Sequence, residues 1–259
     1  MWFLQWRHFK PIRKKRSRGQ NIVSAVLWDL DGTIADTEIL HFRAWRDVMA
    51  RHGVAYDFAT FQAGFGRPNS EILPELLGEE ATPERVAQIS AEKERLFRRL
   101  LQEEGVELLP GVQEWLERFQ AAGVAQVISS SGPMANIVAT VACLDIGDFF
   151  RALLTGAVLP RGKPDPALFL LSAAAVGAEP QECLVLEDSI HGIQAARRAG
   201  MASVAVGKLT ATPELAALLE EEGPPTLAVA SLADLTWEQC QQLWAAARLE
   251  KGPGRQSVG

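Results

Sequence analysis

Short apolar runs recur along this chain of 259 residues and end in polar or glycine-containing clusters. They show little alternation of apolar and polar positions, which is typical of strands buried on both faces of a parallel sheet. The predicted strands are Ile22–Trp28, Val124–Ile128, Ala152–Leu154, Cys183–Leu186, Ser203–Val206 and Thr226–Val229.

Helical periodicity fills most of the intervals between these runs. Apolar residues at Val112, Trp115, Leu116 and Phe119 follow helical spacing, and Gly123 comes next, where a helix C-cap favours glycine. Strands that alternate with helices predict an α/β fold with a doubly wound parallel sheet. The predicted helices are Val112–Ala122, Pro166–Val176, Ile190–Ala199, Pro213–Leu219 and Leu235–Leu249.

The segment 37–109 differs because it has helical patterns and no convincing strand. Ile39–His52 is amphipathic, Pro83–Glu104 is long and rich in charges, and residues 78–82 interrupt the pattern. An all-helical insert after the first strand would stand over the carboxyl ends of the strands. We predict a Rossmann-like core of residues 21–36 and 110–250, a helical cap of residues 37–109, and tails at 1–20 and 251–259.

Composition is that of an ordinary globular protein, with 47% hydrophobic and 22% charged residues. A chain of this length can bury a sizeable core without disulfides or a structural metal. Its three cysteines, Cys143, Cys183 and Cys240, form no C-x-x-C pair. An odd number of isolated cysteines favours a reduced, cytoplasmic setting.

Charge is distributed unevenly along the chain. Residues 1–20 contain seven of the 26 basic residues and no acid, so the remainder carries 19 basic against 32 acidic residues. Such an acidic body would repel nucleic acid. The aromatic and basic tail could hold an anionic membrane surface, and the alternative is a disordered extension. We predict the disordered extension, no nucleic-acid partner, no stable membrane association and a monomer.

Candidate chemical groups follow four of the predicted strands. Asp29 and Asp31 follow the first strand, the triplet 129–131 of serines follows the second, Lys163 lies in the loop after the third, and the pair 187–188 of Glu and Asp follows the fourth. In an open α/β sheet the ligand crevice lies at the carboxyl ends of the strands. These side chains are therefore expected to converge, although each alone is also typical of a turn, a helix N-cap or a solvated loop.

Four carboxylates in one crevice repel each other unless a cation intervenes. Ligands that are all oxygen atoms, without His or Cys, suit a hard ion such as Mg²⁺. A carboxylate can attack phosphorus, and a second carboxyl two residues on could protonate the leaving oxygen. The pattern indicates phosphoryl transfer with Mg²⁺ as cofactor and a small phosphorylated molecule as substrate.

Four motifs resemble those of the haloacid dehalogenase-like hydrolases, in the same order and spacing over residues 22–232. They are Trp28–Thr37 for motif I, Val127–Ser131 for motif II, Gly162–Pro166 for motif III and Leu184–Gly192 for motif IV. The helical insert resembles the C1-type cap of the branch that holds β-phosphoglucomutases, phosphoglycolate phosphatases and sugar-phosphate phosphatases.

The resemblance implies a role for each matching residue. Asp29 would be the nucleophile, Asp31 the general acid/base, and Lys163 the phosphate-binding cation. Asp29, the backbone carbonyl of Asp31 and the Asp188 carboxylate would bind the metal, with Glu187 assisting directly or through water.

The motif II hydroxyl and the cap residues are less tightly specified. Counting from the strand start favours Ser130 over Ser129 as the phosphate-binding hydroxyl. His41 and Trp45 lie in a stretch similar to β-phosphoglucomutases, where a matching His and a cap Lys restrain the acid/base; Lys93 is the candidate for that Lys. His41 could instead only hydrogen-bond within the cap.

Arg67 lies in the stretch 64–70, which resembles the substrate-specificity loop of the cap. It could bind a second anionic group, or be a solvated loop residue. We predict a Mg²⁺-dependent phosphatase of small metabolites, with sugar phosphates as the preferred class. The alternative is a β-phosphoglucomutase, and a non-catalytic binding module is a weaker one, because both motif I aspartates are present.

Overall fold

A computed structural model describes residues 23–64 and 67–249. The predicted tails, residues 1–20 and 251–259, lie outside this range. The strands are β1 (Ala25–Trp28), β2 (Ala125–Ser130), β3 (Ala152–Thr155), β4 (Cys183–Glu187), β5 (Ala202–Val206) and β6 (Thr226–Val229). The helices are α1 (Glu38–Arg51), α2 (Phe58–Gly64), α3 (Asn69–Leu77), α4 (Pro83–Glu104), α5 (Val112–Ala121), α6 (Met134–Leu144), α7 (Ala167–Ala175), α8 (Ile190–Arg198), α9 (Pro213–Leu219) and α10 (Trp237–Leu249).

The six strands form one parallel sheet in the order β3-β2-β1-β4-β5-β6. The predicted doubly wound α/β fold is thus confirmed. Strand β1 is central, with Trp28 in register with Ile128 of β2 and Leu186 of β4. The strand order reverses between β1 and β4, and the ends of strands at such a point form the ligand crevice of open α/β sheets.

Large side chains fill the layer between the sheet and its helices. Trp28, Trp115 and Phe119 are almost completely buried, and burial of each contributes roughly 1.5–3 kcal/mol. The buried indole N–H of Trp28 donates to Gln126 Oε1 at 3.1 Å, and Gln126 Nε2 donates to the carbonyl of Leu116 at 2.9 Å. Because these polar atoms have partners, a tryptophan at the end of β1 is compatible with the buried sheet.

Strand β2 ends later than predicted, at Ser130 rather than Ile128. Ser129 and Ser130 are therefore strand residues and not loop residues. Successive side chains of a strand point to opposite faces, so the two hydroxyls face different surroundings. This difference separates the two candidates for the motif II hydroxyl.

Helices α1 to α4 form a helical insertion between β1 and β2, as predicted. The predicted helices Ile39–His52 and Pro83–Glu104 are present as α1 and α4, and they pack side by side. α4 begins at Pro83, where the missing N–H costs nothing, and Thr82 Oγ1 accepts a hydrogen bond from the backbone N–H of Arg85. Within the described ranges, no helix is both long enough and apolar enough to cross a bilayer.

Candidate active site

A cavity of about 280 Å³ lies between the carboxyl edge of the sheet and the helical insertion. The residues predicted from the sequence to form the site line it, and Ser129, the less favoured serine candidate, does not. The predicted residues are Asp29, Asp31, Ser130, Lys163, Glu187 and Asp188 from the core, and His41, Trp45, Arg67 and Lys93 from the insertion. The fold therefore brings the predicted site together, while the roles of these residues stay predictions.

Lys163 connects the ends of two strands. Its Nζ donates to Asp29 Oδ1 at 2.5 Å and to Glu187 Oε2 at 2.7 Å. All three side chains are at most 9% exposed, so the charges interact through protein rather than bulk water. Burial alone would lower the pKa of Lys163, but the two carboxylates raise it above its usual value. Lys163 is therefore a permanent cation beside Asp29.

The other oxygen of Glu187 is held by the turn that opens α8. Glu187 Oε1 accepts from the backbone N–H groups of Asp188 and Ser189 and from the Ser189 hydroxyl. Gly192 leaves the space for this carboxylate, since a Cβ at Gly192 would lie 2.0 Å from Glu187 Oε2. Hydrogen bonds to both carboxylate oxygens thus hold the Glu187 side chain in place.

Asp188 packs against the turn after β1. Thr33 Oγ1 donates to Asp188 Oδ1 at 3.2 Å. Gly32 has φ +88°, and a Cβ there would lie 2.0 Å from Asp188 Oδ2. Glycine is therefore required at this position both for the backbone conformation and for the close approach of Asp188.

The carboxylates of Asp29, Glu187 and Asp188 form a compact oxygen cluster, with one ligand atom from each within 4.8 Å of the others. Burial and repulsion from Glu187 raise the pKa values of Asp29 and Asp188, and Lys163 offsets only part of this rise. Three carboxylates against one ammonium leave excess negative charge. Oxygen ligands with excess negative charge fit a hard divalent cation such as Mg²⁺.

Asp31 is held by a separate set of contacts that reaches into the cap. Thr37 Oγ1 donates to Asp31 Oδ1 at 2.7 Å, and His41 Nε2 lies 3.3 Å from the same oxygen. Lys93 Nζ lies 2.9 Å from His41 Nδ1. Because an ammonium can only donate, Nδ1 is the acceptor and the His41 proton is on Nε2, directed at Asp31.

This arrangement sets the protonation states of its members. Burial would raise the pKa of Asp31, but hydrogen bonds from His41 and Thr37 and the nearby charge of Lys93 lower it below its usual range. Burial, followed by the charge of Lys93, lowers the pKa of His41. The free protein therefore holds Asp31 as a carboxylate beside a neutral imidazole.

The two serine candidates face opposite sides of β2. Ser129 Oγ donates to Ser172 Oγ of α7 at 2.8 Å, and both residues are fully buried away from the cavity. Ser130 lines the cavity, and its Oγ accepts from the backbone N–H of Gly132 at 3.0 Å. Ser131 also lines the cavity. The geometry therefore agrees with the preference for Ser130 over Ser129.

The remaining two cap candidates, Trp45 and Arg67, have different surroundings. Trp45 is buried, and Lys93 Nζ lies 5.3 Å from the centre of its ring. Arg67 lines the cavity, but its guanidinium donates to both oxygens of Glu75 at 3.0 and 2.6 Å and lies 3.7 Å from Glu71. Two carboxylates of α3 therefore already oppose its charge.

The sequence reasoning missed several residues of the cavity. They are Asn69, Glu94 and Asn136, which line it. Thr37, which donates to Asp31 from outside the lining, was also missed. Glu94 accepts from Lys93, Asn69 and Asn136, and it is 7% exposed. Burial would raise its pKa, but the Lys93 charge and these amide hydrogen bonds lower it, so Glu94 is ionised. One signal was available: positions 93 and 94 fall on the same face of α4 as the buried Ile89 and Phe97.

Comparison with known proteins identifies the family. The model of the haloacid dehalogenase-like hydrolases matches residues 23–200. Fructose-1-phosphate phosphatase YqaB of Escherichia coli is 34% identical over 188 residues, which cover 71% of this chain and 96% of that protein. Beta-phosphoglucomutase of Bacillus subtilis is 31% identical over 235 residues, which cover 88% of this chain and 99% of that protein.

A solved structure shows the same architecture. The crystal structure of beta-phosphoglucomutase from Clostridium difficile superposes with a TM-score of 0.76 at 26% identity, covering 88% of this chain and all of that one. The resemblance predicted from the four motifs is confirmed. The chain belongs to the haloacid dehalogenase-like hydrolases, a family of enzymes.

Proposed function

We propose that this protein is a Mg²⁺-dependent phosphatase of small phosphorylated carbohydrates that works through an aspartyl-phosphate on Asp29. The observation that carries the proposal is the arrangement around Asp29. Lys163 contacts Asp29, Ser130 faces the same cavity, and Asp31 is held two residues away by His41. The candidate nucleophile, the candidate acid/base and groups for phosphate oxygens thus line one cavity.

In the first step, a carboxylate oxygen of Asp29 forms a bond to phosphorus as the bond between phosphorus and the substrate oxygen breaks. Asp31 gives a proton to that leaving oxygen, which departs as an alcohol. Asp31 is ionised in the free protein, but an incoming phosphate raises its pKa by like-charge repulsion and favours its protonation. Lys163 and the Ser130 hydroxyl are the groups that hold phosphate oxygens.

In the second step, Asp31 takes a proton from water, and the water oxygen forms a bond to phosphorus. The bond between phosphorus and Asp29 breaks, and Asp29 returns to a carboxylate. Asp29, Asp188 and the backbone carbonyl of Asp31, with Glu187 assisting, would hold Mg²⁺, which would supply positive charge that offsets the charge of the phosphate. In the free protein Lys163 donates to Asp29 and Glu187, which leaves the third N–H of its ammonium for a phosphate oxygen.

The charge balance of the cavity favours a substrate with a single phosphate. Among the described lining residues, the cations Lys93, Lys163 and Arg67 each contact a carboxylate. A mutase must also bind the second phosphate of a bisphosphate, which calls for a cation on the cap side. Glu94 places a negative charge there instead. The remainder of the substrate is therefore expected to be neutral and rich in hydroxyl groups, as in a sugar phosphate.

The β-phosphoglucomutase alternative is favoured by one observation: Lys93 contacts His41, and His41 contacts Asp31, as the resemblance to that family implied. The similarity to beta-phosphoglucomutase also covers more of this chain than the similarity to the fructose-1-phosphate phosphatase. A non-catalytic binding module is the weakest alternative, because both Asp29 and Asp31 line the cavity.

The proposal is tested by measuring phosphate release from a panel of phosphorylated metabolites with Mg²⁺, and with a chelator as control. The panel includes fructose 1-phosphate, hexitol phosphates, phosphoglycolate and β-glucose 1-phosphate. Steady, Mg²⁺-dependent release from one or more carbohydrate phosphates is expected. No release from any member of the panel would reject the phosphatase proposal.

The same panel separates the mutase alternative when β-glucose 1-phosphate is given with a bisphosphate primer and a coupled assay for glucose 6-phosphate. A phosphatase produces free phosphate and glucose from this substrate or leaves it unchanged. Formation of glucose 6-phosphate with little free phosphate would establish the mutase instead.

Ser130→Ala and Ser129→Ala form a matched pair that tests the phosphate-binding hydroxyl. Removing the Ser130 hydroxyl is expected to lower kcat/KM about 10- to 100-fold, because a group that holds a phosphate oxygen is lost. Removing the Ser129 hydroxyl is expected to leave kcat/KM unchanged and to lower the free energy of unfolding by about 1 kcal/mol, because its bond to Ser172 lies in the core. Equal kinetic effects of the two substitutions would contradict the assignment.

We also propose that the protein is a cytoplasmic monomer that binds neither nucleic acid nor a membrane stably. Supporting this are the acidic charge of the body and the three free cysteines, of which Cys183 and Cys240 are buried. Light scattering during size-exclusion chromatography tests the monomer.

Deletion of residues 1–19 is expected to leave activity and its salt dependence unchanged; a change in either would contradict the idea that the tail is a passive extension.

A further inference from the structure

A buried amide on the core lies between two side chains of the cap. Asn136 in α6 is 5% exposed, and its Nδ2 donates to Glu94 Oε2 at 2.5 Å. Its Oδ1 accepts from a guanidinium nitrogen of Arg98 at 2.8 Å. Glu94 and Arg98 are four residues apart and so lie on one face of α4. The Asn136 amide thus donates to Glu94 and accepts from Arg98, so both of its polar atoms have partners on α4.

The amide contact continues to the candidate acid/base through hydrogen bonds. Both oxygens of Glu94 accept from Lys93 Nζ, at 3.1 and 3.2 Å. The same Nζ donates to His41 Nδ1, and His41 donates to Asp31. A continuous set of buried polar contacts therefore runs from Asn136 on the core, across the cap, and back to the core at Asp31.

We propose that Asn136 is a positioning residue that docks the cap on the core and thereby sets Lys93 and His41 against Asp31. The proposal rests on the phosphatase function given above, and it deepens it by assigning the cap contact that aligns the acid/base. When the cap is undocked, Glu94 loses its partner on the core, and the position of Lys93 relative to Asp31 is no longer constrained. Docking of the cap on the core would therefore also bring Lys93 and His41 into position beside Asp31.

The identity of the side chain is essential to this role. An amide presents a donor and an acceptor on one rigid group, which Glu94 and Arg98 require together. An aspartate at 136 could still accept from Arg98, but it would place a second carboxylate against Glu94, and like charges at this distance repel. In Asn136→Asp this repulsion is relieved when the cap moves away from the core, because water then reaches the carboxylates of Glu94 and Asn136→Asp. We therefore expect the substitution to open the cap and not to unfold the protein.

Asn136→Asp is the first test. With the best substrate from the phosphate-release panel, kcat is expected to fall about 10- to 100-fold, since small misplacement of a catalytic group has effects of this size. The inhibition constant of inorganic phosphate is expected to rise by a smaller factor than kcat falls, because Ser130 and Lys163 are unchanged and only the new carboxylate in the cavity repels the anion. Ala142→Asp is the matched control, since it adds the same charge to α6 at an exposed position, and kcat is expected to stay near wild type.

The double variant Glu94→Gln with Asn136→Asp restores the hydrogen bond between the two positions. The amide is then at 94 and the carboxylate at 136, and the glutamine amide can donate to the aspartate. The double variant is expected to regain at least threefold in kcat over Asn136→Asp alone. A kcat of Asn136→Asp within twofold of wild type, or a double variant no faster than the single one, would overturn the proposal.

Small-angle X-ray scattering of the full chain gives a reading that does not depend on turnover. Asn136→Asp is expected to increase the radius of gyration, and the double variant is expected to return it toward wild type. An unchanged radius of gyration in Asn136→Asp would overturn the docking role. If wild type releases no phosphate from any substrate, the phosphatase proposal fails, while scattering still decides the docking role of Asn136.

Discussion

Asp29→Asn is expected to lower the rate of phosphate release by at least about 1,000-fold, the size of loss that follows removal of a catalytic nucleophile. A carboxamide has nearly the shape of the carboxylate, but it is neutral and a poor nucleophile toward phosphorus. The comparison of kcat for wild type and variant, on the carbohydrate phosphate that wild type hydrolyses fastest, measures the effect.

The fold of Asp29→Asn is expected to persist. The substitution removes one charge from the crowded cluster of Asp29, Glu187 and Asp188, where repulsion raises the pKa of Asp29. Lys163 keeps its contact with Glu187. The midpoint of thermal unfolding should therefore fall little or rise. Phosphate release within tenfold of wild type would show that Asp29 is not the nucleophile.

Gly32→Ala is expected to lower kcat/KM by about 100-fold or more, although position 32 carries no functional group. The new methyl would occupy the place of the Asp188 carboxylate, because a Cβ lies 2.0 Å from Asp188 Oδ2. Asp188 would have to move, and with it one oxygen of the predicted metal site. A weaker apparent affinity for Mg²⁺ in activity titrations should accompany the loss, since displaced ligands bind metal less well.

Gly53→Ala separates this contact from backbone strain. Gly53 follows α1 with φ +72°, yet a Cβ there would meet no atom within 4 Å. Both substitutions strain a backbone with positive φ, at roughly 1–3 kcal/mol each. Gly53→Ala should therefore lower the free energy of unfolding by a similar amount and leave kcat/KM near wild type. Similar kinetic losses in both variants would mean that strain, and not the contact with Asp188, is responsible.

The site residues of the α/β core could be predicted from the sequence, because the fold brings the ends of the strands together. In a parallel sheet, residues that follow neighbouring strands meet at one edge, so short apolar runs locate Asp29, Asp31, Lys163 and Asp188 before any coordinates are known. The helical insert was also recognisable, since the patterns of α1 and α4 are long and periodic. The order of the strands required the structure.

Apart from those of His41 and Lys93, which the family resemblance implied, the cap contacts could not be predicted, because they depend on how two helices distant in sequence meet. Glu94 belongs to a run of charges that suggests a solvated face, but α4 turns it toward Asn136 of α6. Arg67 suggested an anion-binding residue, and only the structure shows Glu75 opposite its guanidinium. The choice between Ser129 and Ser130 depended on where β2 ends, and strand ends are poorly specified by sequence.

The most direct test of the central claim is to detect the phosphoryl group on Asp29. Wild type turning over its best carbohydrate phosphate with Mg²⁺ would be quenched rapidly in acid, digested, and its peptides analysed by mass spectrometry, with Asp29→Asn as the blank. The proposed mechanism predicts one phosphoryl group on the peptide containing Asp29, located to that residue by fragmentation and missing from the blank. A phosphoryl group on another residue, or steady turnover with an unmodified Asp29 peptide at every quench time, would contradict it.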